Sequence, residues 1–190
     1  MSLMRTSSML MLATLPALMP SMAHAASLDA IAKGLVAHRA LYDIQLSATH
    51  SGSQVQNISG QMSYEWKPVC GASVTDHHFK LSYEYADAPA MRIASDFSTY
   101  ETDDGNHFSF TSRRSRDGSL YQELRGHAEL EKKGGKAVYT MPEKLSYDLA
   151  PGAFFPQAHT MQLIDHALSG DRFFTAQIFD GSDEDGPVQI

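Results

Sequence analysis

The sequence predicts an all-β fold with a minor helical part: an antiparallel meander of strands forms an open or spiral β-barrel, and one helix lies across it. Apolar and polar residues alternate with a period of two over six segments, which is the pattern of half-buried strands. The spacers between the segments are rich in Gly, Asn and Asp, the residues of tight hairpin turns. No helical pattern of about 10–15 residues separates the strands, so neighbouring strands should pair antiparallel rather than through parallel crossovers.

A short helix is predicted first, at residues 28–35, and six strands follow it. In the second strand, Ile58, Met62 and Trp66 share one side, while polar residues occupy the other. The six alternating segments are residues 40–46, 58–66, 79–85, 91–97, 108–110 and 120–130. The predicted turns are residues 50–53, 87–89, 103–106, 117–118 and 133–136, the last of these as a hairpin tip.

A second helix is predicted at residues 155–168, with a stop at Gly170. Its apolar residues recur three or four apart, which indicates one amphipathic helix that lies on the sheet as a lid or plug; they are Met161, Ile164, Ala167 and Leu168. A further strand is predicted at residues 172–178, and after a turn residues 187–190 have the pattern of another strand that has only begun. An unfinished strand would leave an open sheet edge, so we expect the domain to be incomplete at its C-terminus.

The first 25 residues have the pattern of a secretory signal peptide. Arg5 is followed by an apolar run at residues 9–19 and then by small residues at Ala23 and Ala25. The run is shorter than the roughly 20 residues that a bilayer span requires. We therefore expect export with cleavage near Ala25, and a single β-barrel-like domain over residues 26–190.

The composition excludes several classes of protein. Hydrophobic residues make up 43% and charged residues 19% of the 190, with a mean hydropathy of -0.28, which is typical of a soluble globular protein. The formal charge of -7 would repel phosphate backbones, so no nucleic-acid partner is expected. No apolar stretch after residue 26 is long enough to span a membrane.

Cys70 is the only cysteine of the sequence. In an exported protein an odd cysteine indicates a missing or intermolecular disulfide partner, although a buried, inert cysteine is the alternative. Together with the unfinished strand, a lost intramolecular partner is the favoured interpretation.

Residue patterns that carry chemistry are weak, and no cofactor is predicted. No Gly-x-Ser-x-Gly motif occurs. Asp76 and His78 could share one strand face and bind a metal, but a polar strand face is the favoured interpretation, because no second pair of His or Cys stands at the spacing of metal ligands. Residues 180–186 depart from the spacing of a calcium loop and are interpreted as a solvated turn. Three arginines beside a predicted turn could hold an anionic group but are expected to face solvent: Arg113, Arg114 and Arg116.

Aromatic residues give the best candidates for a binding site. Tyr42, Tyr64 and Trp66 fall on the apolar sides of predicted strands, where they would line the interior of an open barrel or fill an ordinary core. They are our candidate ligand-binding residues, and His38 and Arg39 are candidate polar contacts next to them.

Three segments resemble a known family. They are residues 35–44, which include Ala37-His38-Arg39-Ala40, residues 59–66 with Cys70 close behind, and residues 179–183. The sequence is similar in these segments to the periplasmic cell-envelope-integrity proteins typified by EipB, whose first strand follows a Val-Pro-His-Arg-Ala-like stretch. Ala37 stands here where that family has proline.

The resemblance implies a many-stranded spiral or open β-barrel with a helix, and it implies a periplasmic location. It also implies a disulfide between a cysteine near Cys70 and one near the C-terminus, which this sequence lacks. The family helps to maintain the envelope under stress and has no accepted enzymatic activity, so the resemblance carries over Cys70 alone as a functional position.

Three hypotheses about function follow. The first is a non-enzymatic periplasmic β-barrel protein that maintains envelope integrity by binding another envelope protein or an apolar ligand. The second is a carrier of lipid or lipoprotein acyl chains, similar to LolA-type half-barrels, which would need an open apolar cavity of roughly several hundred cubic ångströms. The third is a hydrolase that uses His38 or His78, which predicts titratable groups clustered in a cleft.

Overall fold

An eight-stranded antiparallel sheet makes up most of the computed structural model, which describes residues 28–190. The predicted signal peptide lies outside the described residues. The strands are β1 (His38–Gln45), β2 (Val55–Val69), β3 (Ala72–Tyr85), β4 (Met91–Thr102), β5 (His107–Arg116), β6 (Ser119–Glu131), β7 (Gly134–Met141) and β8 (Ser146–Leu149).

Each strand pairs only with its neighbours in sequence, so the predicted antiparallel meander is confirmed. Within residues 28–190 the sheet does not close, because β1 and β8 are its two edge strands. The predicted open form of a β-barrel-like fold is therefore the observed one. The long β2 and β3 form 14 residue pairs, with one irregularity between Val55 and Asn57.

The register gives the sheet two distinct faces. Trp66 lies opposite His38 and Thr75, and Phe97 lies opposite His77 and Ser112, so these side chains share one face. We call it the core face, because its continuation on β5 carries the buried Phe108 and Phe110. The opposite, outer face is polar and carries ion pairs between strands, such as Arg39 with Glu65 and Arg125 with Glu123.

Two helices lie beside the sheet, α1 (Leu28–Gly34) and α2 (Pro156–Ser169), and they pack against each other. The second predicted helix, at residues 155–168, is confirmed within one residue at each end. Its predicted apolar stripe is only partly covered, because Met161 and Ile164 are half-buried whereas Ala167 and Leu168 are exposed. Proline at the first helical position suits the N-terminus, where its missing N–H is not needed.

A hydrophobic core lies between the β5–β8 half of the core face and the segment that follows β8. It combines side chains of the sheet with Ala153, Phe155 and Phe179, which come from that segment. The buried sheet residues are Phe108, Phe110, Leu124, Ala128, Ala137, Tyr139 and Leu149.

The C-terminal part differs from the prediction. Only Gln177–Ile178 (β9) is a strand, and it pairs with Val188–Gln189 (β10), while residues 172–176 are outside any strand. The alternation at 172–176 reflects packing on α2, since the Phe174 ring stacks on His166 with centroids 4.2 Å apart. Residues 187–190 do find a partner: Ile190 and Ala176 exchange two backbone hydrogen bonds of 3.0 Å.

One predicted turn is also displaced. The hairpin tip between β6 and β7 is Lys132 and Lys133, and the glycine pair predicted as the tip begins β7 instead. Gly135 is needed there for close approach, since a Cβ would lie 2.0 Å from the carbonyl oxygen of Glu129 on the paired strand.

Candidate functional site

The core face has a covered half and an open half. On β5 to β8 it is covered by the segment after β8, where Phe155 and Phe179 are 0% and 1% exposed. The rings of Phe108 and Phe155 stack with centroids 5.0 Å apart, and Phe110 meets Phe179 edge-on at 5.7 Å. This half is an ordinary packed core.

Polar contacts hold the turn between β9 and β10 on the same half. Arg114 donates from Nη2 to the carbonyl of Ser182 at 2.7 Å and from Nη1 to the carboxylate of Asp183 at 3.2 Å. The hydroxyl of Tyr139 donates to the carbonyl of Asp183 at 2.6 Å, and that of Tyr147 to the carbonyl of Glu184. The expectation that Arg114 faces solvent is therefore wrong, because its register on β5 directs it to the core face; Arg113 and Arg116 are exposed as expected.

The open half lies on β1 to β4. Its apolar side chains keep part of their surface exposed, up to 47% for Tyr42 on the edge strand. We call this surface the open patch and define it as Tyr42, Met62, Tyr64, His77, Phe79 and Phe97. Since Phe97 also packs against the core, the open patch continues the core without a polar break.

Aromatic contacts order the centre of the open patch. The His77 ring lies between Tyr64, at 4.8 Å, and Phe97, at 6.0 Å, and both contacts are edge-on. Burial lowers the pKa of His77, with a smaller opposing effect from Asp76, and burial raises the pKa of Tyr64. Both groups are thus held in their neutral forms at neutral pH, which keeps the patch free of charge.

The structure places most of the predicted site residues on one face. Tyr42, Tyr64 and Trp66 all lie on the core face, and the His38 ring is 5.2 Å from that of Tyr64. Arg39 is on the outer face, bonded to Glu65 at 2.7 Å, since adjacent residues of a strand point to opposite sides. The structure therefore places four of the five candidates on the core face and Arg39 on the outer face.

Trp66 lies apart from Tyr42, at the edge of a large cleft. The cleft has a volume of about 880 Å³ and lies between α1, α2 and the end of the sheet that carries the β4–β5 turn. Trp66 is 7% exposed, and its indole Nε1 has no hydrogen-bond partner within residues 28–190. An unpaired buried donor of this kind costs roughly 1–3 kcal/mol.

Glu101 forms a polar link between the sheet and α2. Its carboxylate is 4% exposed and accepts hydrogen bonds of 2.7 Å from the backbone N–H groups of Gln157 and Ala158 at the start of the helix. Burial raises the pKa of Glu101 to about 7, although these two N–H groups act to lower it. Sequence reasoning missed this residue. The alternation of β4 could have indicated it, because Glu101 is four positions after Phe97 and therefore lies on the same, core face.

On the outer face of the described sheet, the two candidate metal ligands do not converge. Asp76 accepts a hydrogen bond from Ser98 at 2.5 Å, and His78 Nδ1 lies 2.7 Å from Asp96, so the two candidate metal ligands have different partners. Ser63 lies opposite His78 in the register, yet no hydrogen bond joins them in the described part of the chain. Within residues 28–190 there is also no group of three or more side chains suited to a metal, including at residues 180–186.

Cys70 is exposed at the turn between β2 and β3. The alternative of a buried, inert cysteine is therefore wrong. Because the sequence has no second cysteine, this chain forms no intramolecular disulfide.

None of the helices between residues 28 and 190 has the length and apolar character needed to cross a membrane.

Comparisons with known proteins agree with this architecture. Residues 29–190 match the model of a family described as EipB-like. Over 153 residues the chain is 33% identical to the cell envelope integrity protein EipB of Brucella abortus, covering 79% of this chain and 54% of that protein. A crystal structure of a β-barrel-like protein with a domain of unknown function, also from Brucella abortus, superposes with a TM-score of 0.76 at 30% identity and covers 82% of this chain and 65% of its own. The chain thus spans about half the length of the curated relative.

Proposed function

Because this chain belongs to the EipB-like family, we propose that it is a non-enzymatic protein of the periplasm that helps to maintain the cell envelope by binding an apolar segment of another envelope protein on the open patch. The export signal expected at residues 1–25 and the name of the relative support this location and role. The proposal covers the domain at residues 26–190.

One observation carries the proposal: apolar side chains of the open patch stay partly exposed although they continue the packed core. On soluble proteins, a large contiguous exposed apolar surface usually marks an interaction site. Tyr42 lies at the edge strand β1, where a partner could also pair with free backbone groups. The neutral His77 adds no charge that an apolar partner would have to desolvate.

The test compares two adjacent residues of β1 that point to opposite faces. Tyr42 and Leu41 are both exposed, at 47% and 70%, but only Tyr42 belongs to the open patch. We expect Tyr42→Asp to abolish rescue of a strain that lacks its own EipB-like protein, measured as survival under detergent stress, whereas Leu41→Asp rescues normally. Equal rescue by both variants, or equal loss at matched protein levels, would contradict the proposal.

A second candidate function is the carriage of an acyl chain. It is favoured by the open patch itself, because an acyl chain would pack on apolar side chains that stay exposed although they continue the core. Laurate binding measured by calorimetry tests this alternative. If laurate binds, and if Tyr42→Asp weakens it while Leu41→Asp on the outer face does not, the carrier function gains support over polypeptide docking.

A further inference from the structure

The cleft between the two helices and the sheet has two chemical properties that belong to no function described so far. Its floor is apolar and includes Trp66, Leu130, Phe154 and Met161. Its rim carries charged side chains. A ligand that fits the cleft must satisfy both.

The charges of the rim are unbalanced. Four carboxylates face two lysines in the described lining of the cleft: Asp29, Asp103, Asp104 and Glu131 against Lys33 and Lys132. Asp104 is occupied by hydrogen bonds from Thr102 and Asn106 in its own turn. Within residues 28–190 no ion pair engages the other three carboxylates or the two lysines, so the carboxylates of the rim outnumber its lysines. The rim therefore favours a cationic ligand and disfavours an anion such as a fatty acid.

We propose that this cleft binds a polypeptide segment in which basic and apolar residues alternate. The apolar side chains would pack on the floor, and the basic side chains would meet the carboxylates of the rim. A neutral acyl ester would satisfy the floor but would leave the rim carboxylates unused. A peptide with basic and apolar residues uses both features of the cleft.

The molecule contains its own reporter for this site, since Trp66 is the only tryptophan. The experiment titrates the full chain with a blocked hexapeptide of alternating lysine and leucine and follows tryptophan emission. We expect a saturable change in the intensity of Trp66 emission, a weaker response at high salt, and little response to the glutamate–leucine peptide of the same length.

Variants locate the binding. Asp103→Asn combined with Glu131→Gln should weaken the lysine–leucine peptide about tenfold or more, because both carboxylates are exposed and belong to the rim. Glu84→Gln combined with Asp87→Asn makes the same change of charge at the far end of the sheet and should alter the affinity less than about twofold.

Three outcomes would overturn the proposal: equal binding of the two peptides, equal effects of the two double variants, or a change of Trp66 emission with monolauroylglycerol and none with the basic peptide.

A second pair of variants tests the apolar floor. Met161→Asp should block peptide binding, because Met161 lies in the floor of the cleft, while Leu168→Asp on the exposed part of the same helix should not. Tyr42→Asp should leave peptide binding intact, so this proposal and the one for the open patch fail independently.

Discussion

Single residues decide how closely the C-terminal segment approaches the sheet. Gly181, in the turn held by Arg114, has a φ of +65°, and a Cβ on it would lie 2.4 Å from the Phe110 ring. No other residue type fits this position without moving a core aromatic ring. The sequence segment 179–183 resembled a known family, but its physical role depends on Phe110, which is 71 positions earlier in the chain and so could not be read from local pattern.

Gly181→Ala is expected to lower the free energy of unfolding by about 2–4 kcal/mol, since it combines a strained backbone with overpacking of a rigid core. Urea unfolding followed by circular dichroism measures the change. Gly52→Ala is the matched control, because Gly52 has a φ of +84° with nothing within 4 Å, and it should cost only the backbone part, about 1–2 kcal/mol. Similar losses for both variants would show that the Phe110 contact is unimportant.

Cys70 is exposed, which contradicts the alternative of a buried, inert cysteine. Its location in the β2–β3 turn leaves it open to solvent, so we expect it to react fully with a thiol reagent in the native state, without denaturant. Titration with Ellman's reagent and intact mass under non-reducing conditions measure this. A thiol that reacts only after unfolding would contradict the exposed position, and a dimer that reductant separates would indicate an intermolecular disulfide.

At the scale of the elements, strands were easier to predict than their ends and contacts. The period of two correctly placed Tyr42, Tyr64 and Trp66 on one face, because most of the residues that alternate with them on the outer face are polar. The same rule failed at residues 172–176, where the alternation comes from Phe174 packing on His166 of α2. Periodicity in the sequence indicates which side chains are buried, but it does not indicate which element buries them.

The attachment of α2 to the sheet through Glu101 predicts a dependence of stability on pH. The folded pKa of about 7 lies above the ordinary value of 4.5, so the folded state binds this proton more tightly than the unfolded state. The resulting stabilisation is complete below pH 4.5, declines as the pH rises toward 7 and is lost above it. The shift corresponds to roughly 3 kcal/mol at most.

Glu101→Gln removes the titration. Between pH 5 and pH 8 the natural chain should lose about 1–3 kcal/mol more stability than this variant, in urea unfolding at both values. At each pH the variant also lacks one acceptor for the N–H groups of Gln157 and Ala158, so only the difference between the two pH values is diagnostic. Glu131→Gln, at an exposed position, should follow the natural chain; if Glu101→Gln follows it as well, the carboxyl does not titrate in this range.

For the whole molecule, the sequence predicted an open antiparallel meander, but it did not predict which half of the core face would be covered. The covering depends on the long-range contacts of Phe155 and Phe179, whereas the aromatic residues of the two halves look alike in sequence. For the same reason the cleft beside Trp66 was not foreseen, since it requires α1, α2 and the sheet end to meet. The aromatic candidates were therefore placed on the correct face without their division into an open patch and a cleft, whereas Arg39 lies on the outer face.

The pairing of each strand with its neighbours in sequence also sets the order in which the chain can acquire structure. Hairpins between consecutive strands close short loops, whereas the bond from Arg114 to Ser182 joins residues 68 positions apart. Because long loops carry a greater entropic cost of closure, the hairpins of the sheet should form before the C-terminal segment docks. Until that docking, the aromatic residues of β5 to β7 are as uncovered as those of the open patch, and a chaperone that protects the growing chain would be needed most in this interval.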